Sequence, residues 1–232
     1  MTHSAPCLLA IDTSQAACSV ALWRDGALAG YRYRDMPKGH AEALIPMLDE
    51  MRDELDFSFD RLDAFAVTVG PGTFTGLRVG LATARGFAVA MDKPCLGVTS
   101  LEAIAHPAAQ EAAAHELIAA CFDARRNEAY LQVFGSDLSP VTAPALVSLD
   151  DLSGILDTAS GAPLLAVGTG AHLVQDHAGS RVRCAGAAPL PDARSVAAIA
   201  SARAADKALP PSPLYLRAPD AKVQTNPLRR PV

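Results

Sequence analysis

The first hundred residues alternate between strand-like and helix-like patterns in an order that narrows the choice of fold. Three short apolar runs come first, and Asp25 and Gly26 separate the second run from the third. An Asp-Gly pair between two strand-like runs is a strong β-hairpin signal. We therefore expect the chain to open with three antiparallel strands, over residues 7–11, 17–23 and 28–34.

Helix-like and strand-like segments then alternate. Apolar side chains recur every three or four positions from His40 to Leu55, which predicts an amphipathic helix. Residues 64–69 form an apolar run that predicts a buried strand, and a glycine-rich loop, residues 70–76, leads into a second helix over 75–91. A strand over 94–98 and a short helix to residue 105, capped by Thr99 and Ser100, complete this part. The order β-β-β-α-β-α-β-α predicts an α/β fold with a mixed sheet covered by helices.

The second half repeats the theme of strand, turn and helix less clearly. Strands are expected over 117–122, 128–135 and 164–167, and helices over 149–156, 171–177 and 193–208. The alanine-rich stretch 106–115 carries Pro107 and suits a boundary. We therefore predict two related subdomains, residues 1–106 and 107–232, with the C-terminal helix and tail packing back on the first.

Composition limits the function. The 232 residues are 50% hydrophobic and 19% charged, with a formal net charge of −5, so a folded core is expected. A broad basic face for nucleic acid is not expected, because phosphate neutralisation dominates such binding, although a partner could supply that charge. Five scattered cysteines without a CxxC pair indicate reduced thiols. No signal peptide or membrane span is recognised, so we expect a cytoplasmic location.

The loop with the sequence GPGTFTG, residues 70–76, is the most informative motif. It lies between a strand and a helix, where backbone N–H groups and the positive helix end can converge on an anion. It fits neither the dinucleotide fingerprint nor the P-loop. Two interpretations stay open, a phosphate or nucleotide loop and a turn whose glycines let strand and helix pack closely. The candidate phosphate residues are Asp12, Thr13, Gly70, Gly72, Thr73 and Arg78.

The second helix carries a stripe of small residues, Gly76, Gly80, Ala84 and Ala88, spaced four apart. Small residues at this spacing let another helix approach closely. The stripe indicates either a partner surface or contact with the chain's own sheet.

No catalytic group or metal site is predicted. His40 has Ala43 and Leu44 one turn onward instead of a second histidine, and His172 and His177 are five apart. No Cys/His cluster has zinc spacing, and no Gly-x-Ser-x-Gly elbow occurs.

Several segments together resemble the TsaB family, also called YeaZ. They are residues 9–14, 18–22, 44–46 with His40, 70–80 and 97–101. The resemblance is dense over about residues 8–105 and returns at 123–125, 128–130, 168–170 and 213–217. It implies an actin-like (ribonuclease-H-like, ASKHA) fold with two related subdomains, and β-β-β-α-β-α-β-α is the element order of that domain.

The resemblance also implies a function. TsaB-type chains are non-catalytic subunits that bind and activate TsaD, a paralogue with a metal-binding histidine pair, in a complex that also contains TsaE. With TsaC-type chemistry upstream, that complex forms N6-threonylcarbamoyladenosine at position 37 of tRNAs reading codons that begin with A. ATP or ADP is expected at the interface shared with TsaD, and tRNA is expected to be held only through the complex.

The family pairs its subunits through the first two helices, and a homodimer is expected when TsaD is absent. The residues expected at this interface are His40, Leu44, Leu48, Gly76, Gly80, Ala84 and Ala88. Four basic residues near the end are candidates for tRNA contact or for a solvated tail: Arg217, Lys222, Arg229 and Arg230.

Two other functions compete with this one. Asp12, Thr13 and the glycine loops would also suit an independent ATP-dependent phosphotransferase or ATPase of the actin-like superfamily. The second alternative is a peptidase, an old label for the wider family. The sequence offers neither a nucleophile nor a metal-binding pair that supports it.

Overall fold

The first half of the chain forms a five-stranded mixed sheet. In the computed structural model, which describes residues 6–158, 161–203 and 208–218, its strands are β1 (Leu8–Asp12), β2 (Ala17–Arg24), β3 (Ala27–Asp35), β4 (Ala64–Gly70) and β5 (Cys95–Thr99). Their order is β3-β2-β1-β4-β5. β1, β2 and β3 pair antiparallel, whereas β4 pairs parallel with β1 and β5. The predicted hairpin is confirmed, since Asp25 and Gly26 form the turn with φ of 55° and 79°.

The second half repeats this topology. Its strands are β6 (Leu117–Arg125), β7 (Glu128–Gly135), β8 (Ala145–Ser148), β9 (Leu164–Val167) and β10 (Val182–Cys184), in the order β8-β7-β6-β9-β10. β6, β7 and β8 pair antiparallel, whereas β9 pairs parallel with β6 and β10. β8 and β10 were not predicted. β9 is as short as β8, but its apolar run leads directly into a glycine-rich turn, a signal that β8 and β10 lack. Two copies of one sheet topology confirm the actin-like fold.

In the described ranges, six α-helices cover the two sheets: α1 (His40–Leu55), α2 (Phe74–Met91), α3 (Ser100–Ala108), α4 (Leu149–Thr158), α5 (Ala171–Ala178) and α6 (Ala193–Ala202). α1 and α2 pack on one face of the first sheet, and α6 packs on the other. α4 and α5 cover one face of the second sheet, and α3 covers the other. Since α3 and α6 also contact each other, these two helices lie between the sheets.

The central strand β1 shows how the sequence specifies these layers. Leu9 and Ile11 belong to the apolar cluster with α1 and α2, whereas Leu8 and Ala10 belong to the cluster with α6. Side chains of a strand alternate between the two faces of a sheet. Because both faces of β1 are covered, its apolar run is continuous, and the run ends at a buried polar residue, Asp12.

Two segments differ from the sequence-based expectation. The helix expected to end at residue 105 continues to Ala108, with Pro107 in its last turn, so the boundary placed at 106/107 falls inside α3. Leu101, Ile104 and Ala108 pack on the second sheet, and this packing holds the helix past the proline. The helix expected over 193–208 ends at Ala202, and residues 204–207 lie outside the described residues.

Within the described ranges, no helix is long and apolar enough to cross a membrane.

The N-terminus of α3 carries a testable cap. The Thr99 hydroxyl accepts the Glu102 N–H at 2.9 Å, and the Glu102 carboxylate accepts the Thr99 N–H at 3.0 Å. We expect Thr99→Ala to lower the free energy of unfolding by about 1 kcal/mol, because the cap satisfies backbone donors that α3 leaves free. Denaturant unfolding measures this, with the exposed Thr75 on α2 as control. Equal effects of Thr99→Ala and Thr75→Ala would contradict the capping role.

Candidate functional site

Two motifs far apart in sequence meet at the ends of β1 and β4. The backbone N–H of Thr73 donates to the carbonyl of Ser14 at 2.8 Å, and the hydroxyl of Thr13 donates to the carbonyl of Gly76 at 2.7 Å. The turn after β1 therefore packs directly on the glycine-rich loop and the first turn of α2.

The glycines of this loop make room for the chain's own turn. A Cβ atom on Gly72 would lie 2.3 Å from the Ser14 carbonyl oxygen, and one on Gly76 would lie 2.1 Å from the Thr13 carbonyl oxygen. A Cβ atom on Gly80 would lie 2.5 Å from the Thr13 hydroxyl. Of the two interpretations of the loop, close packing of strand, turn and helix is the one that the geometry supports.

Asp12 is fully buried beside this turn. Its Oδ1 accepts hydrogen bonds from the hydroxyls of Thr68 (2.6 Å) and Ser14 (2.7 Å). Its Oδ2 is buried and has no partner among the described residues. Burial raises the pKa of this carboxyl above its ordinary value, and the hydrogen bonds from Thr68 and Ser14 oppose the rise. The surroundings of Asp12 thus favour the neutral carboxyl more than water does.

Three other phosphate candidates, Gly70, Thr73 and Arg78, make no hydrogen bond to the Asp12 carboxylate and have other contacts. Thr73 caps α2, because its hydroxyl accepts the Gly76 N–H at 3.2 Å. Gly70, with φ of 117°, lies against the Leu214 carbonyl oxygen. The Arg78 guanidinium lies 3.7 Å from the centre of the Phe74 ring and lines a cavity whose lining does not include Asp12. Nucleotide binding at this loop stays a prediction.

The seven residues expected at a partner interface lie inside this chain instead. His40, Leu44, Leu48, Gly76, Gly80, Ala84 and Ala88 are all buried. The ring of His40 is hydrogen-bonded to the Gln15 carbonyl through Nε2 at 2.9 Å. Ala84 belongs to the apolar core between α2 and the first sheet. These residues have almost no surface left for a partner. We therefore correct the assignment, because the small-residue stripe contacts the chain's own first sheet.

The opposite face of α2 is the exposed one. We call Thr75, Ala82, Gly86, Val89 and Ala90 the outer face of α2; all five are exposed, and Val89 is 83% exposed. A Cβ atom on Gly86 would meet nothing within 4 Å. The sequence shows Gly86, Val89 and Ala90 as further small or apolar positions of α2, but it did not assign this side to a partner, because both stripes carry small residues and only the burial tells them apart.

Sequence reasoning also missed a group of aromatic residues near Arg78. Phe74 and Tyr215 stack with ring centres 5.8 Å apart, and both are exposed. Two observations on the sequence could have pointed to this group. Phe74 belongs to the glycine-rich loop, and Tyr215 and Arg217 belong to a segment that resembles the TsaB family. Of the tail residues considered for tRNA contact, Arg217 is described here, whereas Lys222, Arg229 and Arg230 lie outside the described residues.

Within the part of the chain that the structure describes, no group of three or more His, Cys, Asp or Glu side chains is arranged to hold a metal ion.

The glycine contacts give a matched pair of variants. We expect Gly76→Ala to lower the free energy of unfolding by about 2 kcal/mol or more, because the new methyl group collides with the Thr13 backbone. Gly86→Ala in the same helix is expected to raise it by about 0.5–1 kcal/mol, because alanine favours helix and the site is open. Denaturant unfolding compares the two. A destabilisation of similar size in both would contradict the packing role of Gly76.

Asp12 makes the stability of the protein depend on pH. Its pKa is raised in the folded state, so its contribution to stability is present below the ordinary value near 3.8 and is lost as the pH rises through the folded-state pKa. Asp12→Asn removes this titration. Denaturant unfolding at several pH values measures the free energy of unfolding of variant and wild type. We expect the difference, variant minus wild type, to increase from acid to neutral pH, because only the wild type loses the contribution of Asp12. A difference that stays constant with pH would contradict the raised pKa.

Comparison with known proteins places this architecture in a family. The family model described as "TsaD: tRNA N6-adenosine threonylcarbamoyltransferase" matches residues 34–223. The chain is 36% identical over 130 residues to the tRNA threonylcarbamoyladenosine biosynthesis protein TsaB of Escherichia coli, and 39% identical over 123 residues to that of Haemophilus influenzae. These alignments span 56% and 53% of this chain, and 55% and 51% of the relatives, so the chain matches about half the length of both proteins.

A solved structure covers more of the chain. The structure of YeaZ from Pseudomonas aeruginosa superposes with a TM-score of 0.77 at 30% identity, over 91% of this chain and 100% of that chain. The family match and this superposition agree with the duplicated sheet topology. The chain belongs to the TsaD-related family and is a TsaB/YeaZ-type protein.

Proposed function

We propose that the chain is the non-catalytic TsaB-type subunit that binds and activates TsaD. The joint product would be N6-threonylcarbamoyladenosine at position 37 of tRNAs reading codons that begin with A. The observation that carries the proposal is the superposition on YeaZ over 91% of this chain. Similarity to two proteins named for tRNA threonylcarbamoyladenosine biosynthesis supports the pathway.

The use of the glycine-rich loop supports a binding role over catalysis by the chain alone. Where a phosphate would approach the loop, the backbone of Thr13 and Ser14 already contacts Gly72 and Gly76. Thr13, Gly72 and Gly76 thus hold the turn after β1 to the start of α2. We accordingly place ATP or ADP at the interface shared with TsaD, and tRNA and TsaE on the assembled complex.

The outer face of α2 is the surface that we assign to TsaD. Val89 is 83% exposed, and Ile45 on the neighbouring helix α1 is 45% exposed. Contiguous exposed apolar patches mark interaction sites, and Ala82, Gly86 and Val89 give α2 such a surface at helical spacing. Gly86 is open to solvent, so a partner backbone can approach it closely. A second copy of the chain occupies the same face when TsaD is absent, and the complex works in the cytoplasm.

Two helical glycines allow a controlled test of this surface. A Cβ atom on Gly86 of α2 or on Gly154 of α4 would meet nothing within 4 Å, so an arginine at either position fits the folded chain. We expect Gly86→Arg to abolish copurification with the cognate TsaD and Gly154→Arg to leave it unchanged, because only Gly86 lies on the outer face of α2. Copurification of tagged chain and TsaD, followed by size-exclusion chromatography, measures both.

Two outcomes would contradict the proposal at different levels. If Gly86→Arg and Val89→Glu both leave the heterodimer intact, the assigned surface is wrong. If the unmodified chain forms no complex with TsaD, the proposed function itself is wrong.

A further inference from the structure

A cavity of about 760 Å³ lies beside the first turn of α2 and has no role in the packing described so far. The loop after β4 supplies Pro71 and Gly72 to its wall, α2 supplies Phe74 and Arg78, and residues 214–218 form the opposite side. This volume is in the range of small-ligand sites. Its lining combines apolar surface, aromatic rings and guanidinium groups.

Two aromatic rings that line the cavity are exposed although they stack on each other. Phe74 is 58% and Tyr215 is 47% exposed, with their ring planes 27° apart. Two large rings that remain half-exposed keep a planar apolar surface in contact with water. Such a surface favours a planar partner, because a stacked base removes it from water.

The cations of the cavity are positioned for an anion. Arg78 lies over the Phe74 ring and donates through Nε to the Tyr215 hydroxyl at 3.1 Å. No carboxylate of the described residues forms an ion pair with Arg78, unlike Arg217, which pairs with Glu128. The buried Nε of Arg217 has no acceptor in the described part of the chain. Among the described residues, Arg78 therefore offers a positive charge without a paired carboxylate next to the stacking surface.

We propose that this cavity binds one nucleotide unit of single-stranded RNA, with the base stacked on Tyr215 and the phosphate held by Arg78. Stacking on aromatic side chains beside a cationic group is how proteins bind unpaired RNA bases. The proposal rests on the proposed role in tRNA modification and deepens it, since it gives this chain a direct RNA contact. Contact of this cavity with a protein partner is the alternative that the test below distinguishes.

The test measures binding of a fluorescein-labelled single-stranded RNA decamer to the full chain by fluorescence anisotropy at low salt. We expect Tyr215→Ala to weaken binding about tenfold, because a stacking ring is lost. Tyr215→Phe keeps the ring and is expected to restore most of the affinity. Arg78→Gln is expected to weaken binding and to reduce the slope of log affinity against log salt by about 0.7, the effect of one phosphate contact on a single strand.

Arg61→Gln is the charge-matched control, because Arg61 is exposed and lines a different cavity. It should change the affinity less than about twofold, as expected for a charge outside the contact. AMP serves as a competitor that offers the same base and phosphate without a strand. If AMP competes as well as unlabelled decamer at equal nucleotide concentration, the site is a mononucleotide site and the proposal is overturned.

Copurification of the same variants with TsaD separates this inference from the proposed function. Loss of RNA affinity with an intact heterodimer supports the inference. Unchanged RNA affinity in both Tyr215→Ala and Arg78→Gln overturns it, and the subunit role stands if the heterodimer persists. Loss of the heterodimer with unchanged RNA affinity makes the cavity a protein contact and also overturns it.

Discussion

The contact between the turn after β1 and the glycines of the loop after β4 holds the first half of the molecule together. Gly72, Gly76 and Gly80 let the backbone and side chain of Thr13 and its neighbour Ser14 approach α2 within hydrogen-bonding distance. This approach places α2 flat on the central strands of the first sheet, with its small residues inward. The same geometry turns Ala82, Gly86 and the other outer-face residues toward solvent. This one packing constraint therefore fills the glycine-rich loop with the chain's own turn and also determines which side of α2 a partner can reach.

Much of the fold could be predicted from the sequence, because the strong local signals agree with the tertiary structure. The Asp25–Gly26 turn, the apolar period of α1 and the cap at Thr99 are all present. The weak points were the short strands β8 and β10 and the end of α3. In these segments the pattern of apolar and polar residues carries little information. Their structure depends instead on pairing with or packing against the second sheet.

The site was harder to predict than the fold. Asp12, Thr13 and the loop do come together, but sequence cannot tell whether a glycine makes room for a ligand or for the chain's own backbone. The small residues of α2 pose the same difficulty, since Ala84 is buried and Ala82 is exposed on the same helix. Phe74 and Tyr215 stack on each other although they are far apart in the sequence. Patterns of neighbouring residues cannot predict such a contact.

The proposed role of this TsaB/YeaZ-type chain in tRNA threonylcarbamoyladenosine formation can be tested in cells. Mass spectrometry measures the tRNA nucleosides of cells depleted of the chain, with the wild-type chain restored in parallel. We expect threonylcarbamoyladenosine to fall on depletion and to return on restoration. An unchanged level after depletion would contradict the proposed role.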